Sequence, residues 1–155
     1  MGKSKSKDRF YVGVQFVLLC IYFINFWPLR FNFPYFLRFV GLVLILAGVA
    51  ECLLAIYLLR KHLTPYPTPS PGATLIVESI YKYVRHPIYG GIIASTAGYA
   101  FFSQSIGRLL LVLALTILFY FKSVYEEHML RLQFQTYEAY KKKTFSFFPF
   151  FKRST

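Results

Sequence analysis

Acidic residues are scarce in this chain: six Asp and Glu stand against eighteen Lys and Arg, a formal charge of +12. Charge of either sign is thin, at 15% of residues, while 56% are hydrophobic and 21% aromatic. With a mean hydropathy of +0.47, that composition excludes an ordinary soluble domain and points to the membrane class. The basic excess would suit nucleic acid, but the cations flank apolar segments and form no stripe of their own. They read as topology charges and attraction to anionic lipid, and no nucleic-acid partner is expected. Cysteine is nearly missing. Cys20 and Cys52 fall inside apolar segments, and no Cys/His cluster has ligand spacing, so neither a disulfide nor a metal centre is expected. No small-residue cleavage site follows the basic leader MGKSKSKDR, so the apolar run after it reads as a retained helix ending at the interfacial Phe26-Trp27-Pro28. Gly2 with Ser6 brushes a myristoylation pattern, too short and too often accidental to use. There is no internal repeat.

What is present is a set of apolar segments at membrane length. At 155 residues the chain reads as one membrane-embedded domain, residues 1–155. Four spans are expected, over residues 10–27, 36–59, 88–103 and 109–125. The second contains Arg38 near its start and Glu51 deeper in. Between the second and third spans lies a polar stretch centred on the proline-rich residues 64–72, which stops any helix and favours a stiff extended arch. The third span is short and rich in small residues, suited to close helix packing, which permits a dimer without requiring one. Residues 104–108 read as a tight turn. The fourth span runs without a break signal into Glu126-Glu127, and from His128 onward Leu130, Phe134 and Tyr137 predict a C-terminal amphipathic helix. Lys141-Lys142-Lys143 and the phenylalanines at 145, 147, 148, 150 and 151 suggest an aromatic anchor at the lipid surface.

The cations also set the topology. Lys and Arg occupy positions 3, 5, 7 and 9, then 60, 61, 82 and 85, then 122, 131, 141–143, 152 and 153. Only Arg30, Arg38 and Arg108 fall on the opposite connections and their flanks. Both termini and the central loop are therefore expected on the cytoplasmic side of a multi-pass protein, in a bacterial inner membrane or an endoplasmic reticulum.

One polar stretch, TLIVESIYKYVRHPIYGG over residues 74–91, concentrates the features of a site. Pro87 suits the first position of a helix, with His86 at the cap and unbonded amides after it that favour a negatively charged group. Gly90 and Gly91 remove side chains where a ligand or a neighbouring helix comes close. Each feature has a plain alternative: a basic flank and a proline start, and, for Glu126 and Glu127, i,i+4 pairs with Lys122 and Arg131. Together they predict a pocket in one leaflet, where amides take a carboxylate and a Glu takes an ammonium group or hydroxyls.

The run LTPYPTPSPGATLIVESIYKYVRHPIYGG, followed some thirty-five residues later by YEEHMLRLQFQTYEAYKKK, resembles the isoprenylcysteine carboxyl methyltransferase and phospholipid methyltransferase superfamily of integral membrane enzymes. The likeness covers Leu63 to about Phe150. It implies an all-α integral membrane protein with S-adenosyl-L-methionine held in a cytoplasmic cofactor pocket formed by residues 73–91 and 122–140. It also implies methyl transfer to a lipid-like or small apolar acceptor. Matched position by position, Ala73, Thr74, Leu75, Ile76, Tyr81, His86, Pro87, Ile88, Tyr89 and Glu126 fall on cofactor-contacting positions. Lys122 falls on a substrate-binding position where the family carries Arg, and Arg85 is an alternative grip on a carboxylate. Glu127, beside Glu126, and Arg85 are the candidates for a catalytic part. Ser79 replaces the Gly that usually precedes the Tyr of this motif. An isoprenylcysteine carboxylate is the preferred acceptor, with a phospholipid amine or a small thiol as alternatives.

Glu51 stands apart. A carboxyl within a span is either functional, here as a substrate-binding group, or a packing residue hydrogen-bonded to Ser95 or Thr116. His62 and His128 read as interfacial surface residues. Two rival readings stay open: a non-catalytic membrane scaffold or lipid-binding protein, and a reductase of a related membrane scaffold with a nicotinamide cofactor.

Overall fold

The computed structural model describes residues 2–24, 31–60, 63–69 and 72–149, and among these every regular element is helical. α1 spans Gly2–Ile24, α2 Tyr35–Leu59, α3 Pro87–Phe102, α4 Ile106–Gln133 and α5 Tyr137–Lys143, with a short 3-10 turn over Ser79–Lys82. The expected Phe26-Trp27-Pro28 end, Arg30, His62, Ser70-Pro71 and the last phenylalanines, Phe150 and Phe151, lie outside the described residues. α2 and α4 are each long and apolar enough to cross a membrane. α3, at 16 residues, is roughly 24 Å long and leans on its neighbours.

Packing between α2 and α3 follows from the glycines. Gly41 and Gly48 on α2 face Gly98 and Gly91 on α3, each pair seven residues apart, so both fall on one stripe. A methyl group on Gly48 would stand 2.5 Å from the Gly91 carbonyl oxygen, and one on Gly91 would stand 2.6 Å from that of Gly48. The two backbones are in direct contact. Ala55, fully buried, continues the stripe another seven residues on. On the other side of α2, Phe39, Leu46 and Leu53 repeat at the same interval and are each more than 60% exposed. That is the pattern of a helix with one face on a partner and the other in lipid, where small residues permit the close van der Waals contact that replaces a hydrophobic drive.

α3 also packs on α4, and α4 on α1. Tyr22, Ile93, Val112, Leu115 and Phe119 form the buried apolar centre of these three helices. Tyr22 spends its hydroxyl on the Thr96 carbonyl at 2.6 Å. Further along α1, Tyr11 stacks on Tyr125 with centroids 5.8 Å apart.

Several boundaries differ from the expected ones. α1 begins at Gly2, because the mixed Lys/Ser leader contains nothing that breaks a helix. α4 begins at Ile106 inside the expected 104–108 turn, capped by Ser105, which accepts a hydrogen bond from the Arg108 amide at 3.3 Å. It runs on to Gln133, so the expected C-terminal amphipathic helix is divided: its first part is the end of α4, and only the seven residues of α5 follow. The described part of the aromatic tail, expected as a lipid anchor, packs partly on the protein itself. Phe147 and Phe148 turn inward onto the apolar centre, because backbone pairing draws them there.

Candidate functional site

The helix start predicted at Pro87 is present, with His86 as its cap. What fixes it was not visible in the chain. The end of the described chain runs back alongside it: Val84 and Phe145 form a parallel bridge, the Arg85 amide donates to the Phe145 carbonyl at 2.9 Å, and the His86 amide to that of Ser146 at 3.0 Å. The strap continues across Gly90, where a methyl group would stand 2.6 Å from the Phe147 carbonyl. Both glycines of the motif are thus filled by protein, Gly90 by the strap and Gly91 by α2.

Beneath the strap lies a buried ionic cluster. Arg85 Nε donates to Glu127 Oε1 at 3.0 Å, and Arg85 Nη1 reaches the Lys141 and Thr144 carbonyls. Lys141 Nζ lies 3.2 Å from Glu127 Oε2, and His86 Nε2 is 3.3 Å from Glu127 Oε1. The Arg85 and Glu127 side chains are each only 3% exposed. Charges this deep need such complete pairing, since their desolvation is otherwise uncompensated.

His86 turns its other nitrogen towards Glu126, with Nδ1 3.7 Å from Oε2. Tyr89 donates its hydroxyl to the same Glu126 oxygen at 2.7 Å. The rings are stacked in a column, His86 on Tyr89 at 5.5 Å and Tyr89 on Phe119 at 4.7 Å, both within 10° of parallel. Glu126 is thereby held by a hydroxyl whose ring is stacked against two others. The Lys122 ammonium lies 5.1 Å from the Tyr89 ring centroid and donates to Gln15 Oε1 of α1 at 2.7 Å.

A cavity of about 320 Å³ opens in front of this array. It is large enough for a small organic molecule. Of the expected site residues, Thr74, Leu75, Ile76, Tyr81, Arg85, His86, Pro87, Ile88, Tyr89, Lys122 and Glu126 line it. Ala73, Glu51 and Glu127 do not. Glu127, expected as a catalytic group, is absent from the lining and pairs with Arg85, Lys141 and His86. Arg85 lines the wall, yet its guanidinium is tied to Glu127 and to main-chain carbonyls. Glu51 faces the strap side of Gly90, and the partners suggested for it are otherwise engaged: Ser95 donates to Gly91 and Thr116 to Val112, each within its own helix. Small hydroxyls on a helix commonly bond back to the preceding turn, and that competes with reaching a neighbour.

Further residues of the wall had not been singled out, although Leu130, Tyr137 and Tyr140 fall within the expected 122–140 stretch. Gln15 arrives from α1, its only forewarning being an amide within an apolar run. Thr64 and Pro65 come from the proline arch, and Leu130, Tyr137 and Tyr140 from beyond Glu126. Tyr140 donates to the Tyr81 carbonyl at 2.7 Å. Burial pushes the phenols of Tyr81, Tyr137 and Tyr140 well above their ordinary range, with nearby Glu126 or Glu127 charge adding to the effect, so all three remain protonated donors.

The α3 start leaves the Ile88 and Tyr89 amides without an intrahelical partner, and both residues line the same cavity as Glu126. The arrangement can therefore hold a molecule with an anionic group, a cationic or hydroxylated group and an apolar or aromatic part. Compared with known proteins, residues 36–137 match the family model described as phospholipid methyltransferase. No curated protein matches the chain.

Proposed function

Since the chain belongs to the phospholipid methyltransferase family, we propose that it uses S-adenosyl-L-methionine to methylate an acceptor that reaches the cavity from the bilayer. The observation that carries this reading is the fixed Glu126 carboxylate facing an amide-rich helix start across one cavity. A zwitterionic nucleoside finds a partner there for each part: the Ile88 and Tyr89 amides for its carboxylate, Glu126 for its ammonium group or hydroxyls, and the side chains of Leu75, Ile76 and Tyr81 for its base.

When bound, that cofactor supplies a methyl group already activated on a sulfonium, so the chain has little bond chemistry of its own to do. Its residues align and exclude water. The His86–Tyr89–Phe119 column aims Glu126, while Arg85, Glu127 and Lys141 hold the His86 segment in place from behind. Lys122, one turn before Glu126 on α4, presents a cation at the other end of the cavity, braced by Gln15.

That cation favours an acceptor whose nucleophile or neighbouring group is anionic. A carboxylate of isoprenylcysteine type meets this without a base, since it is already ionised. The family description favours a second reading, a phospholipid amine whose phosphate faces Lys122; its ammonium must then lose a proton, with His86 or Glu126 the groups within the cavity able to take it. We also propose four membrane passes with both termini cytoplasmic, a reading supported by the distribution of Lys and Arg, and with it a cavity open to the cytoplasmic face in either case.

The test is binding of S-adenosylmethionine and S-adenosylhomocysteine to detergent-purified protein, wild type beside Glu126→Ala and His86→Ala. We expect wild-type binding and a loss of about tenfold or more in each variant, the scale of a charge-assisted hydrogen bond. Methyl transfer to a prenylcysteine analogue against an aminophospholipid then separates the two acceptors. Folded wild type that binds neither nucleoside would overturn the reading in favour of a non-catalytic scaffold.

A further inference from the structure

The side of α1 that turns towards α4 carries Asp8, Gln15 and Tyr22, each seven residues from the next. Asp8 and Tyr22 are almost wholly enclosed, at 6% and 1% exposure. Gln15, midway between them, is only half-buried, and it lines the cavity. The fully exposed positions around it, Gly13, Val17 and Cys20, lie on the opposite side of the helix. The surface that Gln15 keeps is therefore turned to the cavity.

Lys122 decides how the amide is oriented. An ammonium group can only donate, so the side-chain oxygen of Gln15 must face it, and Oε1 accepts from Lys122 Nζ at 2.7 Å. The NH2 group is left with two donors and no partner among the described residues. Lys122 itself is 1% exposed, so a ligand meets the amide rather than the cation, and the ammonium behind it polarises those donors. Lys122 also stands one turn before Glu126, towards the apolar body of α4. The amide thus lies on the bilayer side of the carboxylate proposed to hold the cofactor. Gln15 falls outside residues 36–137, so the family match says nothing of it.

Building on the methyltransferase reading, we propose that the Gln15 side-chain amide donates a hydrogen bond to an anionic oxygen of the methyl acceptor, a carboxylate or a phosphate. It is a specificity-determining contact supplied by α1, and it has no part in holding the cofactor.

Gln15→Glu isolates that role. A carboxylate keeps Lys122 partnered, so the fold is spared, yet it has no donor and repels an anionic oxygen. Full-length detergent-purified protein is assayed at saturating S-adenosyl-L-methionine with a prenylcysteine analogue and with an aminophospholipid. We expect Gln15→Glu to raise KM about tenfold or more for the acceptor that wild type methylates, with kcat changed far less. Affinity for S-adenosylhomocysteine should not change. A rise for the prenylcysteine analogue puts its carboxylate at the amide, and a rise for the phospholipid puts its phosphate there. Gln15→Leu, without donor or charge, should raise KM about three- to fivefold. A fall in KM for Gln15→Leu would overturn the proposal by making the amide an obstacle. So would an equal loss of S-adenosylhomocysteine affinity, which would put the amide against the cofactor. Wild type that binds no S-adenosylhomocysteine would sink the methyltransferase reading and this proposal with it. Wild type that binds it and shares its KM values with both variants sinks this proposal alone.

Discussion

The seam between α2 and α3 and the cluster under the strap hold the same helix, α3, by opposite means. At the seam there is almost nothing but backbone: four glycines bring two helices into contact, and specificity comes from what is missing. At the start of α3 the polar side chains are crowded, with Arg85, His86, Glu127 and Lys141 mutually paired in a space with little water. Lipid offers no hydrophobic reward for helix pairing, so the seam depends on shape. The cluster depends on charge balance, which is less forgiving of losing one member than of losing all.

Breaking the comparison on its ionic side should have the largest effect. Glu127→Ala strands Arg85 and Lys141 without their carboxylate and should cost about 3–5 kcal/mol, read as a loss of folded protein in detergent-monitored unfolding. Glu126→Ala is the matched control. Its side chain is 26% exposed and bonded to one hydroxyl, so the fold should survive there while cofactor affinity falls. Equal destabilisation by the two would erase the distinction drawn between a positioning and a contacting carboxylate.

On the steric side, Gly48→Ala places a methyl against the Gly91 carbonyl, and the backbones must part. About 1–3 kcal/mol of destabilisation is expected. Gly13→Ala in α1, where no atom lies within 4 Å, should be neutral or slightly stabilising by the same measurement. If Gly48→Ala were as mild as Gly13→Ala, the seam would not be a backbone contact.

The smallest effect has the opposite sign. Ser79, which stands where the resembled family usually has glycine, has φ of +52°, in the left-handed region that disfavours side chains. Ser79→Gly should therefore raise stability by roughly 1 kcal/mol, seen as a higher melting temperature with cofactor binding unchanged.

These contrasts also show what was legible in the chain. Apolar runs and proline placed α2, α3 and the body of α4 within a few residues, since both signals are local. The approach of the Arg85-His86-Pro87 stretch to Glu126-Glu127 was legible too, from the even number of spans between them and the distribution of Lys and Arg. Which of the two carboxylates faces the cavity was not. Neighbours on a helix point about 100° apart, and only packing decides which direction is inward. The strap was invisible for a different reason: a two-residue pairing between positions sixty apart has no periodicity, and its phenylalanines look the same whether they meet lipid or a helix. Gln15 belongs to the same class, a single polar residue whose partner, Lys122, is 107 positions away.

The strap has a further consequence, in reach. It joins the middle of the chain to a segment that follows α5, and the partners stand some sixty positions apart. Cutting or replacing residues 144–147 therefore frees the Arg85 and His86 amides and uncovers Gly90, while the glycine seam between α2 and α3 keeps all of its contacts. One short pairing thus ties the start of α3 to the far end of the described chain without any part in how the helices themselves meet.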